Sequence, residues 1–137
     1  MAAILERTRS SRGAMAGFIL GIESTAHTLS MGIVGVDGKL YPSHSSVFHP
    51  DEGGIHPREA ADHHTGAVSN LLNRITNSED FDWNSIEAVS FSQGPGLGPC
   101  LRIGASVART LSTKLTVPLI GVNHCVAHIE IGREQCG

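Results

Sequence analysis

Residues 117–128 read VPLIGVNHCVAH, an apolar run that passes directly into a segment with two histidines. A short apolar run of this kind predicts a buried β-strand. Asn123 is a favourable N-cap residue, so a helix is expected to begin beside it. Because residues four apart lie on one face of a helix, His124 and His128 would point the same way just beyond the carboxyl end of the strand.

Strand-like and helix-like segments precede this unit along most of the chain. Strands are predicted over residues 18–22, 28–36, 40–48, 88–91 and 118–122, and amphipathic helices over 58–76 and 99–115. The resulting order, βββαβαβα, is a meander followed by alternating strands and helices, which predicts an α/β fold with helices packed against a mixed sheet. It is the order of the half-domain in ribonuclease-H-like and actin-like ATPase (ASKHA) architectures.

Composition narrows the class of protein. A length of 137 residues predicts one domain, and a net charge of −3 with no basic run in the body of the chain does not favour unaided nucleic-acid binding. No apolar run reaches the roughly 18 residues that a membrane span needs. Three irregularly spaced cysteines fit a reduced, cytoplasmic setting.

The first sixteen residues differ from the rest because they are rich in arginine and serine. We predict that residues 1–16 form a flexible N-terminal extension. An organelle transit peptide and a true start at Met15 are the alternatives.

The two histidines at helical spacing could form half of a metal site, since neutral imidazole is a common ligand for zinc and iron. An isolated pair of this kind is more often two partly exposed helix histidines. A metalloprotease motif would need a glutamate directly after the first histidine, where this chain has Cys125. Cys125 lies about 100° around the helix from His124 and is expected to pack as a small apolar residue.

Two turns could approach an anionic ligand. Ser24 and Thr25 lie between the first two predicted strands, where hydroxyl and amide donors suit a phosphate, although an ordinary hairpin would use the same residues. The glycine-rich segment 94–98 lies between a strand and a helix but lacks the lysine and hydroxyl residue of a P-loop. It suits either an anion or a turn that needs glycine torsions.

Four segments together resemble one family, the tRNA threonylcarbamoyladenosine transferases, formerly called O-sialoglycoprotein endopeptidases or glycoproteases. The segments are GIESTAHT at 21–28, GGIHPREAA at 53–61, FSQGPGLGP at 91–99 and GVNHCVAHIEI at 121–131. The Thr-Ala-His-Thr turn is similar to the archaeal and eukaryotic branch, the catalytic subunit of the KEOPS complex. The resemblance implies an actin-like fold in which residues 17–137 form the first lobe, with the second lobe missing from this chain.

The resemblance also implies a reaction. The family transfers a threonylcarbamoyl group from threonylcarbamoyl-AMP to the adenosine beside the anticodon of tRNAs that read codons beginning with A. It implies one divalent metal ion per subunit, iron or zinc, bound by His124 and His128 and by an aspartate of the missing lobe. Ser24 and Thr25 would lie on the phosphate side of a bound nucleotide, either the substrate or ATP. No catalytic residue beyond the metal ligands is assigned, so the chain alone is expected to be inactive.

Partners follow from the same resemblance. A kinase-like subunit and a dimerising subunit of KEOPS are expected. Helices 58–76 and 99–115 are the candidate docking elements for the dimerising subunit, and tRNA would bind through the assembled complex. The setting would be cytoplasmic, with the nucleus as an alternative, and no membrane contact is expected. Three other functions stay open, namely a metal-dependent glycoprotease, a non-catalytic partner-binding lobe, and a sugar-kinase-like or actin-like nucleotide-binding domain.

Overall fold

The structure, a computed structural model, describes residues 17–78 and 81–137. The predicted extension at 1–16 lies outside the described residues. Within them the elements are β1 (Phe18–Glu23), β2 (Thr28–Gly35), β3 (His44–Val47), α1 (Pro57–Thr76), a 3-10 turn (Trp83–Ser85), β4 (Ile86–Gly94), α2 (Gly98–Leu115), β5 (Leu119–Asn123) and α3 (His124–Cys136). The predicted order of strands and helices is confirmed.

The strands form one mixed sheet in the order β3-β2-β1-β4-β5. β1 pairs antiparallel with β2, and β2 pairs antiparallel with β3. β4 is parallel to β1, and β5 is parallel to β4. The three parallel strands therefore end at one edge of the sheet, which is where open α/β sheets place their ligands. The actin-like, ribonuclease-H-like half-domain predicted from the order is the observed fold.

One face of the sheet forms the core. Side chains alternate across the sheet with a period of two, so every second residue of β1 and β2 is buried. Leu20, Leu29 and Met31 are fully buried there and pack with Leu71 and Ile75 of α1 and Ala108 of α2. The two helices thus cover the same face of the sheet.

The element boundaries follow local chemistry. Pro57 begins α1, where its missing N–H removes no helical hydrogen bond. β4 extends well beyond the predicted 88–91 because it pairs on both sides. The third strand is shorter than the predicted 40–48, since regular pairing with β2 begins only at His44, after Pro42.

The far edge of the sheet is the most open part of the described chain. β5 is an edge strand with Leu119 and Ile120 exposed, and α3 follows it with Val126 and Ile129 at 50% and 62% exposure. Cys125 is exposed on α3, so the prediction that it packs as a small apolar residue is wrong. The reason is that none of the residues of α3 is buried, so the helix has no packed face in which Cys125 could lie. Among the described residues, none of the helices combines the length and apolarity required to cross a bilayer.

Candidate functional site

Three segments meet at the carboxyl edge of the parallel strands. They are the β1–β2 turn after Glu23, the glycine loop between β4 and α2, and the start of α3 after β5. The register of the sheet brings them together, because β4 lies between β1 and β5 and all three strands run the same way. Residues about 100 positions apart in the sequence therefore become neighbours.

The histidine pair lies on the first turn of α3. Asn123 caps this helix, since its Oδ1 accepts hydrogen bonds from the amides of Cys125 at 2.9 Å and Val126 at 3.2 Å. The rings of His124 and His128 have centroids 4.5 Å apart and planes at 85°. The His124 side chain is 27% exposed and His128 is exposed, so both imidazoles are accessible to solvent. The structure places the pair on one face, as the spacing predicts.

Glu23, the last residue of β1, holds His124 from the side. His124 Nδ1 lies 3.0 Å from Glu23 Oε2, and Thr25 Oγ1 lies 3.4 Å from the same nitrogen. Since an ionised carboxylate only accepts hydrogen bonds, Nδ1 carries the proton of the neutral imidazole and donates a hydrogen bond to Glu23. The lone pair of His124 is then on Nε2. Sequence reasoning had not placed Glu23 in the site.

The environment of Glu23 favours its ionised form. Burial raises the pKa of this carboxyl, but hydrogen bonds from Thr25 and His124 outweigh burial, and the net pKa is lower than that of an ordinary glutamate. The amide of Thr25 donates to Glu23 Oε1 at 2.6 Å, so both carboxylate oxygens have a donor. Glu23 thus joins the turn and the helix through one charged group.

This arrangement fits a metal-binding histidine. Histidines that bind metal through one nitrogen commonly donate the other N–H to a carboxylate, which fixes the tautomer and the ring orientation. Glu23 and His124 have that relationship, and His128 adds a second imidazole on the same face. Within residues 17–78 and 81–137 there is no group of three or more histidine, cysteine, aspartate or glutamate side chains placed to hold a metal. The described chain therefore supplies a partial ligand set, below the three protein ligands of a typical catalytic site.

A hydrogen bond from β4 and close packing of α2 fix the Ser24–Thr25 turn. The Ser24 amide donates to Ser92 Oγ at 3.1 Å, and its hydroxyl is buried against α2, where a Cβ on Gly104 would overlap it. The Ser24 hydroxyl is thus turned away from any ligand at the sheet edge. The predicted phosphate role then rests on Thr25 and the remaining turn backbone, and it stays a prediction.

The glycine loop packs against this turn. The Leu97 amide donates to Thr25 O at 2.7 Å. A Cβ on Gly96 would lie 2.9 Å from Thr25 Cα and closer still to its carbonyl oxygen, so only glycine permits this approach. Close backbone packing against Thr25, which neither interpretation of this loop included, accounts for Gly96.

His64 of α1 is a second residue that sequence reasoning missed. It is fully buried, and its Nε2 donates to the carbonyl oxygen of Ala26, in the turn after Thr25, at 2.8 Å. The available signal was its place in the apolar stripe of α1, four residues after the buried Ala60 and seven before the buried Leu71. Its neighbour His63 is only partly buried and lies 2.9 Å from Ser46 Oγ, away from the site.

A shallow groove of about 210 Å³ begins beside His124. It crosses the face of the sheet opposite α1 and α2, where the side chains are small, and its lining includes Gly21, Ser30, Gly32, Ser90 and Val122. The open space beside His124 is therefore bordered by serine and glycine together with apolar side chains such as Met31 and Phe91.

Comparisons with known proteins match this chain to one family. The family model for tRNA N6-adenosine threonylcarbamoyltransferase matches residues 42–136. Enzymes of that name from Archaeoglobus fulgidus and Caldivirga maquilingensis are 53% and 50% identical over 118 and 120 residues, which is 86% and 87% of this chain and 36% of each relative. The chain thus spans about a third of the length of these relatives.

A solved structure, YeaZ from Pseudomonas aeruginosa, has the same fold. It is 19% identical with a TM-score of 0.61, over 78% of this chain and 45% of that protein. The family match covers most of the chain and includes the histidine pair on α3. The chain belongs to the tRNA N6-adenosine threonylcarbamoyltransferase family.

Proposed function

We propose that this chain provides the first lobe of an enzyme that transfers a threonylcarbamoyl group from threonylcarbamoyl-AMP to the adenosine beside the anticodon of tRNAs that read codons beginning with A. The observation that carries the proposal is the Glu23–His124–His128 cluster at the carboxyl edge of the parallel strands, in a chain of this family. A cluster on the sheet edge where α/β folds bind ligands is well placed for a reaction centre.

In this proposal His124 and His128 hold one divalent metal ion, iron or zinc, and Glu23 fixes the His124 ring. When bound, such an ion would act as a Lewis acid on the carbonyl of the threonylcarbamoyl group. Thr25 would lie on the phosphate side of the nucleotide, since its hydroxyl is 3.4 Å from His124 Nδ1. A third protein ligand would come from sequence outside this chain, so we expect the chain alone to bind metal weakly and to lack transferase activity.

Within the described residues, the carboxylate in contact with His124 is not available as the base that a glycoprotease needs. That carboxylate belongs to Glu23, and both of its oxygens already accept hydrogen bonds from Thr25 and His124. Hydrolysis by a histidine-bound metal needs a carboxylate free to activate water. The cluster therefore favours group transfer over peptide hydrolysis.

Partner binding is the second candidate function. Helices α1 and α2 lie side by side over one face of the sheet, and their outer surfaces, including Arg102 and Arg109, are exposed. We propose that subunits of a KEOPS complex dock on these helices, and that tRNA reaches the site through the assembled complex. An arrangement of this kind would supply the basic surface that a net charge of −3 does not indicate.

A chimera tests the proposed reaction. Residues 18–131 of this chain would replace the corresponding region of the Archaeoglobus fulgidus relative, which is 53% identical. We expect the chimera to modify tRNA in the presence of threonylcarbamoyl-AMP, and His124→Ala to abolish the modification. A folded chimera without activity, or robust transfer by the 137-residue chain alone, would contradict the proposal.

A further inference from the structure

The structure ties the buried interior of α1 to the turn beside the histidine cluster through one side chain. His64 has no exposed surface, and its Nε2–H donates to the carbonyl oxygen of Ala26 at 2.8 Å. Ala26 directly follows Thr25, whose amide and hydroxyl meet Glu23 and His124. A chain of direct contacts thus runs from α1 through the turn to His124.

A histidine is an unfavourable choice for this position on packing grounds alone. The other residues on this stripe of α1 are small or apolar, including Ala60, Ala61, Leu71 and Ile75. His64 Nδ1 is enclosed without a hydrogen-bond partner among the described residues, and burying such a group carries a free-energy cost. A leucine would fill similar volume without that cost. The hydrogen bond to Ala26 is what the imidazole adds.

The turn needs such an anchor. The Ser24 amide is held by Ser92, and Thr25 O is held by the Leu97 amide. Both of these contacts come from the β4 side of the site. His64 holds the carbonyl oxygen of Ala26 on the far side of the turn, and the next contact along the chain is the hydrogen bond from the Phe48 amide to the carbonyl oxygen of His27 at 2.7 Å.

We infer that His64 is a positioning residue, which fixes the β1–β2 turn so that Thr25 and Glu23 hold the His124 imidazole in its metal-binding orientation. This inference rests on the proposed metal role of His124. It also gives α1 two roles. Its outer surface is proposed to bind a partner subunit, and its inner surface carries His64, which contacts the turn beside the histidine cluster.

Zinc affinity of the chain tests this role. We would titrate zinc into the wild-type chain and into His64→Leu, His64→Gln, His63→Gln and His124→Ala. His64→Leu should raise the dissociation constant of the His124-dependent site about tenfold, which is typical when a group that orients a metal ligand is removed. His64→Gln should restore most of the affinity, because its Nε2 can donate to Ala26 O from a similar position. His63→Gln, which alters the hydrogen bond to Ser46, should bind zinc as the wild type does.

Unfolding in urea separates positioning from a merely structural role. His64→Leu should be as stable as the wild type or more stable at neutral pH, while its zinc affinity falls. In spectra of the metal-free chain, the ring nitrogen signals of His124 should shift in His64→Leu and not in His63→Gln.

Each result has a definite reading. If His124→Ala weakens zinc binding while His64→Leu leaves it unchanged, the positioning role is overturned and the proposed metal site stands. If His124→Ala has no effect on zinc binding, both are overturned. A loss of affinity in His64→Leu that appears only in proportion to lost folding, or that glutamine does not restore, also overturns the positioning role.

Discussion

Glu23 is the residue on which the local chemistry of the site depends. It is separated from His124 by 101 positions, yet its carboxylate lies 3.0 Å from the imidazole. The ring orientation that leaves Nε2 for a metal requires an acceptor at Nδ1, and Glu23 provides it. In the proposed metal site, its negative charge would also offset part of the charge of a bound cation.

Replacing this carboxylate should weaken the metal site. We expect Glu23→Gln to lower zinc affinity about 10- to 100-fold, because the amide is a weaker acceptor for His124 Nδ1–H. Isothermal titration would measure the change. Glu130→Gln is the matched control, since Glu130 is an exposed glutamate of α3 whose carboxylate pairs with Arg133. Equal affinity of both variants would mean that Glu23 does not orient the ligand.

His64 should make the stability of the fold depend on pH. Burial lowers its pKa, and the nearby His63 and His27 lower it further, against an opposing hydrogen bond to Ala26. The folded state therefore binds fewer protons than the unfolded state once the pH falls below about 6.5, the ordinary histidine pKa. The contribution of neutral His64 is fully present above that pH and is lost as the pH falls through the lowered folded pKa.

Urea unfolding at pH 7.5 and pH 5.5 measures this effect. We expect the wild type to lose unfolding free energy at the lower pH, and His64→Leu to lose clearly less. The same loss in both proteins would show that His64 does not cause the pH dependence.

The sequence alone could predict contacts between site residues that are close together in the chain, but not contacts between residues that are far apart. His124 and His128 lie within one helical turn, so their spacing alone predicts a shared face. Glu23 and His64 act across long separations, and only the sheet register and the packing of α1 reveal their partners. The sequence predicts Ser24 as a donor to a phosphate because hydroxyl residues suit turns, but the close approach of Gly104 buries its side chain. A local pattern cannot show which hydroxyl a later helix will cover.

At the scale of elements, the glycine loop and the β1–β2 turn form one packed unit. Gly96 lies against the backbone of Thr25, whereas a Cβ on Gly98 would have open space around it. We expect Gly96→Ala to lower the unfolding free energy by about 1–3 kcal/mol through overpacking. Gly98→Ala is the control and should be close to neutral or stabilising, because alanine favours the helix.

Urea unfolding of the two variants would measure the difference. If Gly96→Ala is as stable as Gly98→Ala, the loop and the turn do not pack as described. Zinc titration of Gly96→Ala should also show a weaker site, because the displaced turn carries Thr25.

The order of elements was predictable because each has a strong local signal. Hydrophobic alternation in β1 and β2 and the apolar stripe of α1 require no tertiary information. The full length of β4 was not predictable in this way, since its outer residues are held by pairing with β1 and β5 on both sides. The exposure of Cys125 was also not predictable from the sequence, because the burial of a helix depends on which elements pack against it. None of the described residues of α3 is buried.

At the scale of the whole molecule, the edge formed by β5 and α3 leaves large apolar side chains exposed that a closed domain would bury. Exposed apolar side chains lie close together there, and an unpaired strand edge can add a further strand. The chain spans about a third of the length of the relatives it matches.

This exposed edge should make the isolated chain self-associate. We expect its average mass in sedimentation to rise with concentration, and Ile129→Lys, at a residue 62% exposed, to shift it toward the monomer. Glu134→Lys, an exposed change on the same helix, is the control for added charge. A wild-type chain that stays monomeric across the concentration series would show that this edge does not drive association.

We propose that His124 and His128 together hold a divalent cation. Zinc titration of the wild-type chain, the two single alanine variants and the double variant tests this directly, with X-ray absorption to count nitrogen ligands. We expect one weak zinc site with two imidazole ligands, lost when either histidine is replaced. Zinc binding of the same stoichiometry and affinity in the double variant would contradict it.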